Sequence, residues 1–227
     1  MRPMAGSGRP LAICLYGYFC AMGSVFQTYL HLGFLHICSP RATDHLTFLL
    51  ALCAPYVLAD WRRVLALVTS FTVGHSLTLA LATLRLVTFP PAAVEALIPV
   101  TIMATAVFNL ARAGRAGGSG PPRRAPVPVL WTAPNALAAT FGLIHGLGFS
   151  NYLRALLGPQ SRPVQELLAF NVGVELGQLV VVGGILLLGA VLLRGFGVAR
   201  RDWVLAVSGA ALGVAGLLLL QQALPAS

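Results

Sequence analysis

The sequence contains no lysine, and only 9% of its 227 residues are charged. A soluble domain carries about 25% charged residues, so the low fraction excludes an ordinary soluble domain. The four cysteines (Cys14, Cys20, Cys38 and Cys53) form no CxxC pair, so neither a disulfide framework nor a structural zinc motif is indicated. No G-x-S-x-G motif is present, and a serine hydrolase therefore has no support.

Apolar residues instead make up 57% of the chain, and the mean hydropathy is +0.83. The bilayer is therefore the expected solvent, and helices long enough to cross about 30 Å of hydrocarbon are the expected elements. We predict an all-α, polytopic membrane helix bundle with about seven transmembrane helices, at residues 11–37, 45–58, 64–87, 92–111, 129–157, 164–193 and 203–220. The first run continues into a histidine motif, so we interpret residues 11–30 as a retained helix rather than a signal peptide.

The net charge of +9 comes entirely from arginine, with 15 arginines against six acidic residues. These arginines lie in short loops, which indicates membrane topology and contact with anionic lipid headgroups rather than nucleic-acid binding. If seven spans start from a cytoplasmic N-terminus, 11 of the 15 arginines fall on the cytoplasmic side. We therefore predict a multi-pass protein of the inner (cytoplasmic) membrane of a bacterium.

A Gly/Pro/Arg-rich stretch divides the apolar spans into two groups. The predicted organisation is a cytoplasmic N-terminus (1–10), a first cluster of four helices (11–111), a basic cytoplasmic linker (112–128), a second cluster of three helices (129–221) and a tail (222–227). No internal sequence repeat stands out, so the sequence does not indicate an inverted-repeat transporter.

Ionisable residues stand out against this apolar background. His36, Asp44 and His45 lie at the predicted outer rim of the first two spans. A charged side chain at mid-bilayer costs about 2.5–3.5 kcal/mol on insertion scales, so such residues are expected to have a function. Neutral imidazole together with ionised carboxylate suits a divalent transition metal.

Later spans carry further polar side chains at compatible depths, and convergence in one outward-facing cavity would leave none of them unpaired. Asn171, Glu175 and Gln178 share one face of the sixth span because they are three and four residues apart. The predicted metal ligands are His36, Asp44, His45, His75, His145 and Glu175. The predicted supporting or pathway residues are Asn171, Gln178, Glu95, Asn109 and Cys38.

Each of these residues also has a purely structural interpretation. An intramembrane histidine often only bonds a neighbouring carbonyl, and this is the simpler interpretation for His31. Asn109 and Gln178 can serve as interhelical hydrogen-bonding groups, and the glycines beside the histidines allow close helix packing. The cysteines are most simply explained as small apolar packing residues, with Cys38 the single candidate soft ligand.

At these motifs, over about residues 30–182, the chain resembles the HupE/UreJ family of membrane proteins, regarded as nickel permeases that serve hydrogenase and urease maturation. The resemblance is carried by Gly33-Phe-Leu-His36-Ile, Asp44-His45-Leu-Thr-Phe, Phe71-Thr-Val-Gly-His75-Ser, Val94-Glu95, Asn109-Leu, His145-Gly-Leu-Gly-Phe and Phe170-Asn171-Val-Gly-Val-Glu175-Leu-Gly-Gln178. It implies that the family's metal-handling histidines and aspartate correspond to His36, Asp44, His45, His75 and His145. The link at residues 38–43 is longer and more polar than the glycine-containing link usual in the family.

Three functions agree with these residues. The first, which we favour, is a permease for nickel or a similar divalent ion (zinc, cobalt, copper or iron). The second is an intramembrane zinc-dependent hydrolase that uses the same cluster, and the third is a metal-binding accessory subunit without transport. The sequence favours a transporter over an enzyme, and the resemblance implies hydrogenase or urease maturation proteins as partners besides lipid and the ion. Oligomeric state does not follow from the sequence.

Overall fold

The computed structural model of the protein describes residues 9–40, 42–115, 133–157 and 163–223. Within these ranges the chain is helical and contains no strand, which confirms the all-helical class. The described ranges hold α1 (Arg9–Cys38), α2 (Thr43–Cys53), α3 (Trp61–Thr83), α4 (Pro91–Arg115), α5 (Ala133–Leu156), α6 (Pro163–Ala190) and α7 (Arg200–Ala223). The predicted linker is described only to the end of α4; its remaining residues, 116–128, lie outside the described ranges.

Within the described ranges, four helical stretches are long and apolar enough to cross a bilayer, and the protein is a membrane protein. They are Leu58–Thr83, Pro91–Gly114, Pro163–Gly195 and Arg200–Ala223. Large apolar side chains cover their outer faces; Val164 and Val73 are 75% and 62% exposed. His75, His145 and Gln178 are instead almost completely buried. This inside-out distribution is expected when the surrounding solvent is lipid.

The helices pack as pairs whose members are distant in sequence: α3 with α5, α1 with α6, and α4 with α7. In the first two pairs the backbones touch at glycines. A methyl group added to Gly142 would lie 2.1 Å from the carbonyl oxygen of Phe71, and one added to Gly33 would lie 2.0 Å from that of Phe170. Only a residue without a side chain permits this approach. The pairs also join helices of the two clusters predicted from the sequence.

Helix α1 runs in the same direction as α6. Phe149 and Phe170 stack with ring centroids 5.0 Å apart. Phe149 lies seven residues before the end of α5, and Phe170 lies seven residues after the start of α6. Because residues equally far from the connecting segment are in contact, α5 and α6 are antiparallel. Along α1, Gly33 contacts Phe170 and Cys38 contacts Gly177, so the contacts advance together and α1 parallels α6. In seven alternating crossings the first and sixth helices would be opposed. The seven-span count and the cytoplasmic N-terminus are therefore not confirmed by this packing.

Helix α1 ends within the bundle, and α2 continues toward the opposite end. Near the start of α2, the His45 ring lies 4.7 Å from the ring of His36 in the last turn of α1. Further along α2, the carbonyl oxygen of Ala51 accepts a hydrogen bond from Nδ2 of Asn109, at 2.7 Å. Arg200, at the start of α7, donates to the carbonyl of Pro55 just beyond α2. The break between α1 and α2 thus lies partway along the bundle, with Pro40 and Thr43 exposed beside it.

Candidate metal-binding site

Four imidazoles from four helices come together at the break between α1 and α2. The ring of His45 lies 4.7 Å from His36, 6.0 Å from His75 and 5.3 Å from His145, measured between centroids. The rings of His36 and His75 are 6.2 Å apart. We call these four residues the imidazole cluster. The convergence expected from the sequence for these four histidines is therefore present.

Phenylalanines enclose the imidazole cluster and restrict where its rings can lie. The ring of Phe149 is 4.0 Å from that of His36, and Phe48 is 5.1 Å from His145. Phe71 lies 5.3 Å from His145 and 6.0 Å from His75. An apolar wall of this kind excludes water and strengthens electrostatic interactions at the nitrogens.

Asp44 orients His45. Its Oδ1 lies 3.0 Å from Nδ1 of His45 and also accepts the backbone N–H of His45 at 2.8 Å. A carboxylate only accepts, so Nδ1 carries the proton and Nε2 carries the lone pair. Nε2 is buried and has no hydrogen-bond partner. Paired carboxylate and histidine side chains are the usual support of a metal-binding imidazole.

Thr101 on α4 orients His145 in the same way. Its hydroxyl oxygen lies 2.7 Å from the carbonyl oxygen of Ile98 and 3.1 Å from Nε2 of His145. A hydroxyl has one proton, and once this is donated to Ile98, the oxygen accepts from Nε2–H. Nδ1 of His145 then holds the lone pair, and this atom is buried without a partner.

Three of the four remaining ring nitrogens are also unpaired. Nε2 of His36 and both ring nitrogens of His75 are buried and make no hydrogen bond. Leaving a buried polar atom unsatisfied costs about 1–3 kcal/mol. Several such atoms in one place are the donor set that a transition-metal ion would satisfy.

The four rings of the imidazole cluster lie close together, but their nitrogens are not arranged around a common metal position. Within the described residues, no group of three or more His, Cys, Asp or Glu side chains is arranged to hold a metal ion. Nitrogens that share one ion in a tetrahedral site lie about 3.3 Å apart, given metal–nitrogen distances of about 2.0–2.1 Å. The rings would therefore have to turn toward a common point to bind an ion together.

A cavity of about 330 Å³ leads to the cluster between α2, α4, α5 and α7. Its lining includes His36, Asp44, His45, His145 and Glu95. Two carboxylates and three imidazoles thus face one space, which suits a divalent cation.

The mouth of this cavity is built around a proline. Pro99 lies inside α4 and has no N–H, so it leaves the carbonyl of residue 95, four positions earlier, without its helical partner. Nε2 of Gln222, on α7, donates to that carbonyl at 3.0 Å. The side chain of Glu95 is exposed beside it.

Glu175 and the amides of α6 form a separate polar zone. Oε1 of Glu175 accepts from Thr69 at 2.9 Å, and Oε1 of Gln178 accepts from Thr72 at 2.6 Å. Oδ1 of Asn171 is buried and unpartnered. None of these side chains lines the cavity of the imidazole cluster. The assignment of Glu175 as a ligand beside the histidines stays a prediction.

Two further predicted residues have structural contacts, and the other histidine of α1 lies outside the cluster. Asn109 joins α4 to α2, as its interpretation as an interhelical group predicted. Sγ of Cys38 is 3.7 Å from the carbonyl oxygen of Gly177, so this thiol faces α6. His31 is exposed on α1.

Comparison with known proteins settles the family. Residues 17–223, nearly the whole chain, match the family described as HupE / UreJ protein. The chain belongs to the HupE/UreJ family. This is a family of membrane proteins involved in nickel or cobalt uptake. No curated protein and no solved structure matches the chain at a significant level.

For this HupE/UreJ chain, sequence reasoning missed the threonines that orient His145 and pair with α6. Thr101, Thr69 and Thr72 each bond a polar side chain on another helix. Nothing in the sequence separates Thr101 from Thr105, which bonds only a carbonyl of its own helix. They differ only in whether the side chain faces α5, and this becomes visible only in the packed structure.

Proposed function

We propose that this protein is a permease for nickel or a similar divalent transition-metal ion, which it carries from the outer side of the bacterial inner membrane to the cytoplasm. The ion is substrate, and the imidazole cluster is its first binding site. The observation that carries the proposal is the meeting of four imidazoles from four helices, with unpaired nitrogens, at the base of a cavity that also presents Asp44 and Glu95.

Arginine placement supports an outward opening of the cavity. Arg62 and Arg63 begin α3, and Arg200 and Arg201 begin α7 at the same end of the bundle. The cavity lies toward the opposite end, where α4 begins at Pro91 and α7 ends. Because arginine-rich ends face the cytoplasm, the cavity opens to the outer side.

The decisive experiment measures metal accumulation and metal binding in single-histidine variants. His45→Ala and His75→Ala should abolish nickel accumulation by cells and flux into proteoliposomes, with unchanged protein in the membrane. His31→Ala is the matched control, because His31 is on α1 but outside the cluster, and it should transport normally. Normal accumulation in both cluster variants would exclude the proposal.

One observation favours a second candidate. The cavity of about 330 Å³ is larger than a bare ion requires, and its lining includes two carboxylates and three imidazoles. An intramembrane zinc-dependent hydrolase would use such a space for substrate, with a carboxylate as general base. Flux of nickel into vesicles containing only this protein would exclude hydrolysis as the main role. Tight binding without flux would instead indicate the accessory subunit considered above.

A further inference from the structure

The pairs α1–α6 and α5–α3 share the same backbone contact. A methyl group on Gly33 would lie 2.0 Å from the carbonyl oxygen of Phe170, and one on Gly142 would lie 2.1 Å from that of Phe71. In each pair a glycine of one helix therefore rests on the carbonyl of a phenylalanine in the other. Gly33 and Gly142 are equivalent in this contact.

The reciprocal contact is also shared. A methyl group on Gly173 would lie 2.0 Å from the carbonyl oxygen of Leu30, and one on Gly74 would lie 2.2 Å from that of Ala139. Leu30 and Ala139 each precede the first glycine by three residues, and Gly173 and Gly74 each follow the phenylalanine by three. The two pairs thus agree in register on both helices.

Short sequence matches accompany this geometry. Gly33-Phe-Leu-His36 on α1 corresponds to Gly142-Leu-Ile-His145 on α5, and Phe71-Thr-Val-Gly74 on α3 corresponds to Phe170-Asn-Val-Gly173 on α6. In both halves of the chain the Gly-x-x-His motif precedes the Phe-x-Val-Gly motif: α1 comes before α3, and α5 comes before α6. Four-residue matches are too short to stand out in the sequence, and for this reason the sequence showed no repeat.

The two halves run in opposite directions. Contacts between α3 and α5 advance together, from Gly142 against Phe71 to Gly146 against Thr78, so these helices are parallel. Helices α1 and α6 are parallel to each other and antiparallel to α5. A rotation axis in the membrane plane therefore exchanges the pairs and relates His36 to His145. Inverted repeats of this kind place substrate sites at the repeat interface, which is where the cluster lies.

The direction of α1 changes the topology. The hydroxyl of Tyr29 donates to the carbonyl oxygen of Leu156, at 3.4 Å, so this part of α1 lies at the end of the bundle where α5 finishes. From there α1 descends to the cluster, and α2 continues to Pro55 at the opposite end. Helices α1 and α2 together would then form one discontinuous crossing, so that the packed helices of the described residues account for six crossings.

We infer that the chain is an inverted repeat whose symmetry-related helix pairs, α1–α6 and α5–α3, move against each other, and that the seam between α3 and α6 is the inner gate for the ion. The gate rests on the proposed transport function. Thr72 and Thr69 precede His75 by three and six residues, about 4.5 and 9 Å along α3, on the side away from the cavity.

The chemistry of the seam suits a weak transit site. Its two hydrogen bonds, Thr69 to Glu175 at an exposed position and Thr72 to Gln178 in the interior, offer oxygen atoms rather than imidazole nitrogens. Oε2 of Glu175 and Nε2 of Gln178 are buried and unpaired beside them. Oxygen donors hold a borderline transition metal less strongly than imidazoles do, so an ion that leaves the cluster can pass this point and be released.

Topology is tested first, independently of transport. Single cysteines are placed at Gln27, Leu86 and Ala59, which are exposed, in a variant whose native cysteines are replaced. An impermeant maleimide should label Gln27→Cys and Leu86→Cys from the outer side and Ala59→Cys only from the cytoplasmic side. In the seven-span scheme Gln27 lies within a span, so protection of that position, or labelling from the cytoplasm, would overturn the inverted repeat.

The gate is tested by separating flux from binding. In the double variant Thr72→Cys/Gln178→Cys, a bifunctional thiol reagent should reduce nickel flux at least tenfold, reversibly with reductant, while equilibrium nickel binding is retained. If the double-cysteine variant lacks flux even before cross-linking, Gln178→Leu serves instead and should reduce nickel flux while retaining nickel binding. Gln221→Leu, at an exposed position on α7, is its control. Unchanged flux after cross-linking, or loss of binding together with flux, would refute the gate.

These outcomes are distinguishable from failure of the proposed function. A wild-type protein that neither binds nor transports nickel would refute the permease while leaving the labelling pattern intact. Normal transport with the seven-span labelling pattern would refute the repeat alone.

Discussion

Nδ1 of His45 lies 3.0 Å from Oδ1 of Asp44, its neighbour in the first turn of α2. This contact assigns the proton to Nδ1 and leaves Nε2 free toward the other imidazoles. The carboxylate therefore supports the ring, whether or not it also touches the ion.

Asp44→Asn should weaken nickel binding by about 10- to 100-fold, because losing the carboxylate partner of a metal-binding imidazole typically has this effect. Equilibrium binding to the purified protein, measured by calorimetry or metal analysis, checks the expectation. Asp202→Asn, at an exposed position in the first turn of α7, removes the same charge elsewhere and should bind normally. Equal affinities in the two variants would show that Asp44 does not support the site.

Thr101→Val should lower nickel affinity roughly tenfold. The change leaves Nε2–H of His145 buried without an acceptor, which costs about 1–3 kcal/mol, or makes the ring adopt the other tautomer. Thr101→Ser keeps the hydroxyl and should restore binding. Thr105→Val, one turn along α4, removes a hydroxyl that bonds only the carbonyl of Thr101, and an equal effect there would argue against a specific role.

The convergence of the histidines could be predicted because imidazoles are costly to leave apart in an apolar bundle. His36, His45, His75 and His145 are scarce polar groups at compatible depths, and the structure brings them together. The partner of the His145 ring could not be predicted, since Thr101 is recognised only once α4 and α5 are in register. That the cluster binds a metal stays a prediction.

The direction of α1 shows where sequence reasoning reaches its limit. The loop-arginine argument assumes that each long apolar run crosses the membrane once. Residues 11–37 are long enough, yet Tyr29, late in α1, already contacts the end of α5. In the topology that we infer, the short helix α2 completes the crossing that α1 begins, an arrangement that hydropathy does not reveal. The helical class, by contrast, follows directly from composition.

Gly142→Ala should destabilise the protein by about 1–3 kcal/mol or more, the usual cost of overpacking. The added carbon would lie 2.1 Å from the carbonyl oxygen of Phe71, which belongs to rigid helix backbone. Thermal unfolding in detergent measures the change. Gly213→Ala is the control, since a methyl group there meets nothing within 4 Å, and alanine favours helix more than glycine does. A stable Gly142→Ala variant would contradict the close contact between α3 and α5.

Glu95→Gln should slow nickel uptake several-fold at low nickel concentration and leave the maximal rate unchanged. The carboxylate is exposed at the cavity mouth, where it raises the local concentration of cations without binding the ion tightly. Because salt screens exposed charges over about 10 Å at 0.1 M ionic strength, the difference from wild type should shrink as ionic strength rises. Initial rates of uptake into proteoliposomes at two salt concentrations provide the measurement. A reduced maximal rate at every salt concentration would instead place Glu95 among the residues that hold the ion during translocation.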